Sequence, residues 1–505
     1  MFKAFLTIFS GGLLGKILGV LRELLLAALF GTTAPVGAYR IAQTATLVPI
    51  NFFTAESLNA GFIPLYKRYL NSEPAKAQTL FWVLKSLIFL ISIMIMLFLY
   101  FGASIWVKVM APGFDSHILD VTASFVEVMS LSVPFYIIGS LLSYLEMGND
   151  GYTLTSIRPS IQSIGLIAGT IAAFWFKQPV YLAWGFTGAY ITFFILGYLR
   201  LTKLGLLTWP SNWIWPETFE VLKSFWQTIR SLLLLPFMLQ GNIAVERIIA
   251  SLMGVSVVAA LDYAKFVTET GINLLAVPLG LAGLSIFSNI SDKEQNKRIQ
   301  QVITVILLIT VPVSAFLAIH SETLVHLLYE RGNFNRESVN LTQTVLLGLG
   351  LGFWAQVSSY VLIKIMNAQL RNREVVKYMG IALGANALTN ILLYQTLGPL
   401  ALGVGTSVYG IILFLLTIKA LKITEVTLPQ LFWLSIGVIL YAPVGVFLLG
   451  QGWLGLALST LIFLFFWVIY IAAVPLLRKS AGSLLEAFQP KVNQIMKKYR
   501  SSHEG

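Results

Sequence analysis

The stretch Leu80-Phe-Trp-Val-Leu-Lys-Ser-Leu-Ile-Phe-Leu-Ile-Ser-Ile-Met-Ile-Met-Leu-Phe-Leu-Tyr100 decides the fold. As a helix it is long enough to cross a hydrocarbon core about 30 Å thick. It shows no alternation of period two, so it is a helix and not a barrel strand. Comparable runs recur at Tyr181–Tyr198, Val302–Ile319, Leu431–Gly450 and Gly455–Leu477. Across all 505 residues, 57% are hydrophobic and 11% charged. A typical soluble domain carries about 25% charged residues. With a mean hydropathy of +0.80, the chain reads as an all-α polytopic membrane protein with about fourteen transmembrane helices.

The distribution of Lys and Arg orients these spans. Alternate loops hold most of them, among them Lys67, Arg68, Arg158, Arg200, Arg371 and Lys422, with Arg478 to Arg500 in the tail. The opposite loops hold mainly Lys108, Lys177, Arg331 and Arg336. Both termini are therefore expected on the cytoplasmic side. The N-terminal apolar stretch carries Lys16, Arg22 and Glu23 and no clear cleavage site, so it reads as the first span. The net charge of +12 does not indicate nucleic acid, because the basic residues are scattered in short loops.

Trp209, Pro210, Trp213, Trp215, Pro216 and Trp226 divide the chain. They predict an interfacial helix with an aromatic belt. The expected organisation is an N-terminal lobe of spans 1–6 over about 1–207, a linker at 208–228, and a C-terminal lobe of spans 7–12 at 229–424. Spans 13–14 follow at about 425–479 and a cytoplasmic tail at 480–505, with a short surface helix at Ser480–Arg500. The first span runs from Arg22-Glu23 to Gly31, and the seventh from Glu246-Arg247 to Gly254. Each is followed by a helix rich in small and aromatic residues that carries charges. This weak repeat predicts two six-helix lobes in a pseudo-twofold arrangement, as in several transporters.

A charge at the bilayer centre costs about 2.5–3.5 kcal/mol, so charged residues in spans are candidate functional groups. Lys16 and Glu23 are seven residues apart and share a helical face, while Arg22 is turned away from Glu23. The second span carries Arg40 and Glu56, the seventh Glu246 and Arg247, and the eighth Asp262, Lys265 and Glu269. The acidic members fit internal struts. Lys16, Arg22 and Lys265 fit a cavity for an anion, since guanidinium groups match phosphate oxygens. Asn242, Glu246, Asn386, Asn390 and Thr406 offer oxygen ligands to Na⁺. Hydrogen bonding between helices is the more common role of buried Asn and Thr in membranes.

Several classes are excluded. There is no P-loop and no cysteine, and His117, His320, His326 and His503 lack metal-ligand spacing. The reading is of a transporter, with no enzyme and no cofactor expected, and with Na⁺ or the membrane potential as the coupling force.

Five stretches resemble the MurJ/MviN family of lipid II flippases, in the superfamily that also holds Wzx-type and MATE transporters. They are Gly15-Lys-Ile-Leu-Gly-Val-Leu-Arg-Glu23 with Leu29-Phe-Gly31, Ala55–Pro64, Ala111-Pro-Gly-Phe114, Leu328-Tyr-Glu-Arg-Gly-Asn-Phe334 and Gly398–Gly403. The resemblance implies a flippase for a polyprenyl-diphosphate-linked sugar. Lys16 and Arg22 match two of the family's basic cavity residues by position, and Lys265 falls within one residue of a third. Spans 13–14 would hold the lipid tail. The implied partners are an undecaprenyl-diphosphate-linked glycan, membrane lipids and enzymes of cell-wall or polysaccharide synthesis. Gly37 stands where the family has an acid, Asn51 where it has a basic residue, and Arg40 is an addition. The Asn372-Arg-Glu-Val-Val stretch departs from the family pattern as well. Lipid II is the leading substrate. A Wzx-like flippase for another glycan, a MATE-like exporter and a non-transporting scaffold are the alternatives.

Overall fold

The structure, a computed structural model, describes residues 2–54, 56–209, 215–230, 233–287, 292–447 and 452–482. Among these residues the regular elements are all helices. They run α1 Phe2–Phe30, α2 Ala34–Thr54, α3 Glu56–Ser72, α4 Pro74–Phe101, α5 Ala103–Met110, α6 Ser116–Ser130, α7 Val133–Gly148, α8 Thr153–Trp175, α9 Val180–Lys203 and α10 Trp215–Ile229. Then come α11 Leu234–Met253, α12 Val255–Phe287, α13 Asp292–Ile319, α14 Ser321–Tyr329, α15 Arg336–Leu351, α16 Phe353–Ala368, α17 Asn372–Leu397, α18 Leu400–Ala420, α19 Thr424–Phe447 and α20 Gly452–Ala473.

Eight of these helices are long and apolar enough to cross a membrane singly, and three bent pairs bring the number to 11. The α1 helix, the α2–α3 pair and α12 complete about fourteen; α1 and α12 each place three charged residues in their apolar stretch. The chain is thus a multi-pass helical membrane protein. Two of the bends fall where the sequence weakens the helix. The α6–α7 pair turns by 44° just before Pro134, and α15–α16 by 51° at Gly352. Proline removes a backbone donor and clashes with the preceding turn.

The two halves repeat one element order. A long span (α4 or α13) leads to a short helix (α5 or α14). A broken span follows (α6–α7 or α15–α16), then two packed spans (α8–α9 or α17–α18).

By internal contacts the chain forms two compact units. The first holds Met1–Tyr263 and Tyr329–Leu341, the second Ala264–Leu328 and Thr342–Gly505. The boundary falls inside α12, beyond the Trp/Pro-rich segment.

In the first unit α8 is the central staple, packed on α1 and α9. Its small residues let backbones touch. A Cβ on Gly169 would sit 2.7 Å from Cα of Gly185, and one on Gly15 2.7 Å from Pro159. Without a hydrophobic drive between helices in lipid, such close packing supplies the association energy. Helix α10 lies on α3 and α4, burying Thr218, Val221, Phe225 and Ile229 along one face. It leaves Trp215, Phe219 and Trp226 exposed, the division expected at an interface. Pro210 and Trp213 fall outside the described residues, as does the tail beyond 482.

Residues 329–341 clasp the end of α1. The backbone N–H of Asn333 donates to the Ala28 carbonyl at 2.8 Å, and its side-chain amide donates to the Leu29 carbonyl at 2.5 Å. The Thr32 and Ser338 hydroxyls meet at 2.8 Å. Gly31 and Gly332 both adopt positive φ, 59° and 58°. A Cβ on Gly332 would lie 2.2 Å from the Ala28 carbonyl oxygen. Glycine is thus required there both for backbone conformation and for space.

In the second unit α13 packs on α16 and α19, and α18 on α16 and α17. Phe353, Phe414, Tyr441 and Trp467 fill its core. Helix α20 turns Leu454, Leu461, Phe465 and Val468 outward, a surface suited to lipid.

Candidate functional site

Arg22, Glu23, Arg40, Arg247 and Asp262, from α1, α2, α11 and α12, form a continuous ion-pair chain in the first unit. Arg22 donates to Glu23 Oε1 from Nη2 at 2.6 Å and from Nε at 3.0 Å. Arg40 donates to the other oxygen of Glu23 and also lies 3.3 Å from Asp262. Asp262 in turn accepts from Arg247. Glu23 is 2% exposed, Arg40 6% and Arg247 8%. Buried charges of this kind persist only when paired, because desolvation costs several kcal/mol per ion.

Aromatic groups fix the middle of the chain. The Arg40 guanidinium lies 5.8 Å from the Tyr39 ring centroid and 5.7 Å from that of Tyr263. Tyr263 donates to the Gly31 carbonyl at 3.0 Å and packs on Tyr329 and Phe334 of the clasp. The chain and the clasp are therefore mechanically joined.

Arg22 does not turn away from Glu23, as helical geometry suggested. Its long side chain folds back onto the adjacent carboxylate. Arg40 and Arg247 join the same chain. Lys16 is exposed on α1 and meets no carboxylate among the described residues. The Glu56 side chain lies outside the described residues. Lys265 belongs to the second unit, where it is half-buried. Gly37 has no room for the acid the resemblance predicts, since a Cβ there would lie 2.2 Å from the Val255 carbonyl oxygen.

The five oxygen-bearing candidates for an ion divide between the units. Asn242 and Glu246 lie on α11 in the first; Glu246 is buried and the Asn242 side chain is half-buried. Asn386, Asn390 and Thr406 lie in the second. There Asn390 donates to Asn386 Oδ1 at 3.0 Å, and both carbonyl oxygens crowd the bare backbone of Gly405. Asn390 Oδ1 is buried and accepts nothing among the described residues. Thr406 spends its hydroxyl on the Leu402 carbonyl of its own helix.

The sequence reading missed Arg158. Counted with the loops, it lies in the second turn of α8, stacked 4.7 Å from the Tyr136 ring centroid and 5.6 Å from that of Phe193. The signal available was its place within the Thr153–Trp175 helical stretch; hydropathy alone puts it at the membrane edge.

Fold and site together define a polytopic helical membrane protein with a charged, ion-paired interior, the architecture of a transporter. The profile of the family described as "Lipid II flippase MurJ" matches residues 26–471, and the chain belongs to that family. A probable lipid II flippase MurJ of Synechocystis sp. is 26% identical over 430 residues, covering 80% of this chain and 78% of the relative. The lipid II flippase MurJ of Burkholderia cenocepacia is 22% identical over 443 residues, covering 82% and 83%. Among solved structures, lipid II flippase MurJ in an inward closed conformation superposes with a TM-score of 0.78 at 19% identity, covering 92% of this chain and 98% of that one. An inward-facing MATE family transporter gives 0.57 at 12% identity over 81% and 95%. These likenesses concern the fold.

Proposed function

We propose that this protein translocates a polyprenyl-diphosphate-linked sugar precursor, lipid II, across the bacterial inner membrane by alternating access. The observation that carries this reading is the buried arginine chain Arg22–Glu23–Arg40–Asp262–Arg247. Family membership gives the substrate class. The chain explains how an apolar bundle can take in an anionic headgroup. A diphosphate brings charge-matched oxygens to guanidinium groups. It substitutes for Glu23 or Asp262 as their counter-ion, so the arginines need not pass through an unpaired state.

The contacts of α1 and α2 with α11, the head of α12 and the 329–341 clasp close one end of the first unit. In the opposite state these contacts part. Both termini face the cytoplasm in this reading, and the lobes 1–207 and 229–424 carry the motion. Helices α19 and α20 hold the prenyl tail. Na⁺ is the coupling ion, with Asn386 and Asn390 as candidate ligands within the second unit and Asn242 and Glu246 as separate candidates within the first. The membrane potential resets the charged interior at about 2.3 kcal/mol per charge per 100 mV. Enzymes that make or consume the glycan are the partners.

Complementation of cells depleted of their own lipid II flippase tests this reading. Growth and normal cell shape are expected. Failure to rescue despite correct membrane insertion would move the substrate to a different lipid-linked glycan. Arg22→Ala and Lys16→Ala are expected to insert normally and fail to rescue; full activity in both would remove these residues from the substrate path.

A further inference from the structure

We infer that Arg158, seated on Tyr136, is a separate anion station of the first unit that contacts the phosphate of the translocated lipid directly. The inference rests on the flippase reading above and adds to it a contact residue outside the arginine chain.

Arg22, Arg40, Arg200 and Arg247 each hold a carboxylate. Arg158, half-buried in α8, meets no carboxylate among the described residues; its partners are the rings of Tyr136 and Phe193. A half-buried cation at the edge of a span is stabilised by an anionic group beside it.

The stacking also leaves the right groups free. A ring engages the face of a guanidinium, while the N–H donors lie along its edge. Those edge donors are spent on no acceptor among the described residues. They form the planar fork that pairs with two phosphate oxygens.

The platform is fixed in advance. Tyr136 packs against Tyr190 with centroids 4.4 Å apart, and its hydroxyl donates to Asn51 Oδ1 at 3.3 Å. Pro159, the next residue after Arg158, sits against Gly15, the residue before Lys16. Arg158 and Lys16 thus flank one helix contact, and neither meets a carboxylate among the described residues. Two cations on adjoining helices, neither paired with a carboxylate among the described residues, suit a dianionic diphosphate.

Binding to purified protein tests this, with lipid II and sugarless undecaprenyl diphosphate as probes and uncharged undecaprenol as control. Arg158→Ala should weaken both charged probes by about tenfold or more, the worth of a lost charge-assisted hydrogen bond. Undecaprenol binding should not change. Tyr136→Phe keeps the platform and should bind nearly as the unmodified chain does, whereas Tyr136→Leu should lose affinity. Arg158→Lys should recover only part, having charge without the fork.

Unchanged affinity of a folded Arg158→Ala for both charged probes, with a lowered melting temperature, would overturn the inference and leave the residue a packing role. The flippase reading would stand in that case. If the unmodified chain binds undecaprenyl diphosphate but not lipid II, and Arg158→Ala loses it, the lipid II reading falls and the anion station holds. Binding of neither charged probe by the unmodified chain contradicts both.

Discussion

Glu23 holds two guanidinium groups at once, Arg22 with one oxygen and Arg40 with the other. Removing one member of a buried pair costs about 3–5 kcal/mol, because the remaining charge stays buried without its partner. Glu23→Ala should therefore lower the melting temperature of the purified protein markedly. Adding Arg40→Ala to Glu23→Ala should recover part of that loss, since coupled neighbours are non-additive. Strict additivity in the double-mutant cycle would show that the two side chains do not interact. The charges themselves were legible in the sequence as polar residues inside apolar runs. Their partners were not. Glu23 meets Arg40 from the next helix, and Arg40 meets Asp262, more than two hundred residues later. Periodicity places residues on a face of one helix and is silent about the helix opposite. Arg158 was hidden for a different reason: hydropathy fixes span ends only to within several residues, and it lies in that margin.

At the scale of elements, the spans were the most readable feature. Each long apolar run became a helix, because in lipid every backbone group must be satisfied within the segment. The bends needed more. Pro134 gave a cue for the α6–α7 break, whereas Gly352 is one glycine among 40. The Leu328–Phe334 stretch could be recognised by likeness, but its physical task became visible only in the clasp on α1. Gly332→Val should disrupt it twice over, through a strained positive φ and through collision with the Ala28 carbonyl. The expected outcome is increased protease sensitivity of residues 329–341 at normal expression. An unchanged cleavage pattern would mean that the clasp contributes little to closing this end of the unit.

The whole molecule repeats one sequence of elements, from α4 to α9 and again from α13 to α18, while the weak echo between Arg22–Gly31 and Glu246–Gly254 lies in helices ahead of each run. If the clasp and the arginine chain close one end of the first unit during each cycle, locking them should stop transport. The natural chain has no cysteine, so a pair introduced by Ala28→Cys and Asn333→Cys has no competing thiols. Oxidation should abolish rescue of flippase-depleted cells and a reductant should restore it. Growth unaffected by a verified crosslink would contradict motion at this joint.

The most direct measurement is translocation by purified protein in vesicles containing fluorescent lipid II, read by a membrane-impermeant quencher. The unmodified chain should expose inner-leaflet lipid II to the quencher faster than protein-free vesicles do, and Arg22→Ala should not. Exposure no faster than in protein-free vesicles, from correctly inserted protein under an imposed membrane potential and Na⁺ gradient, would contradict the flippase reading.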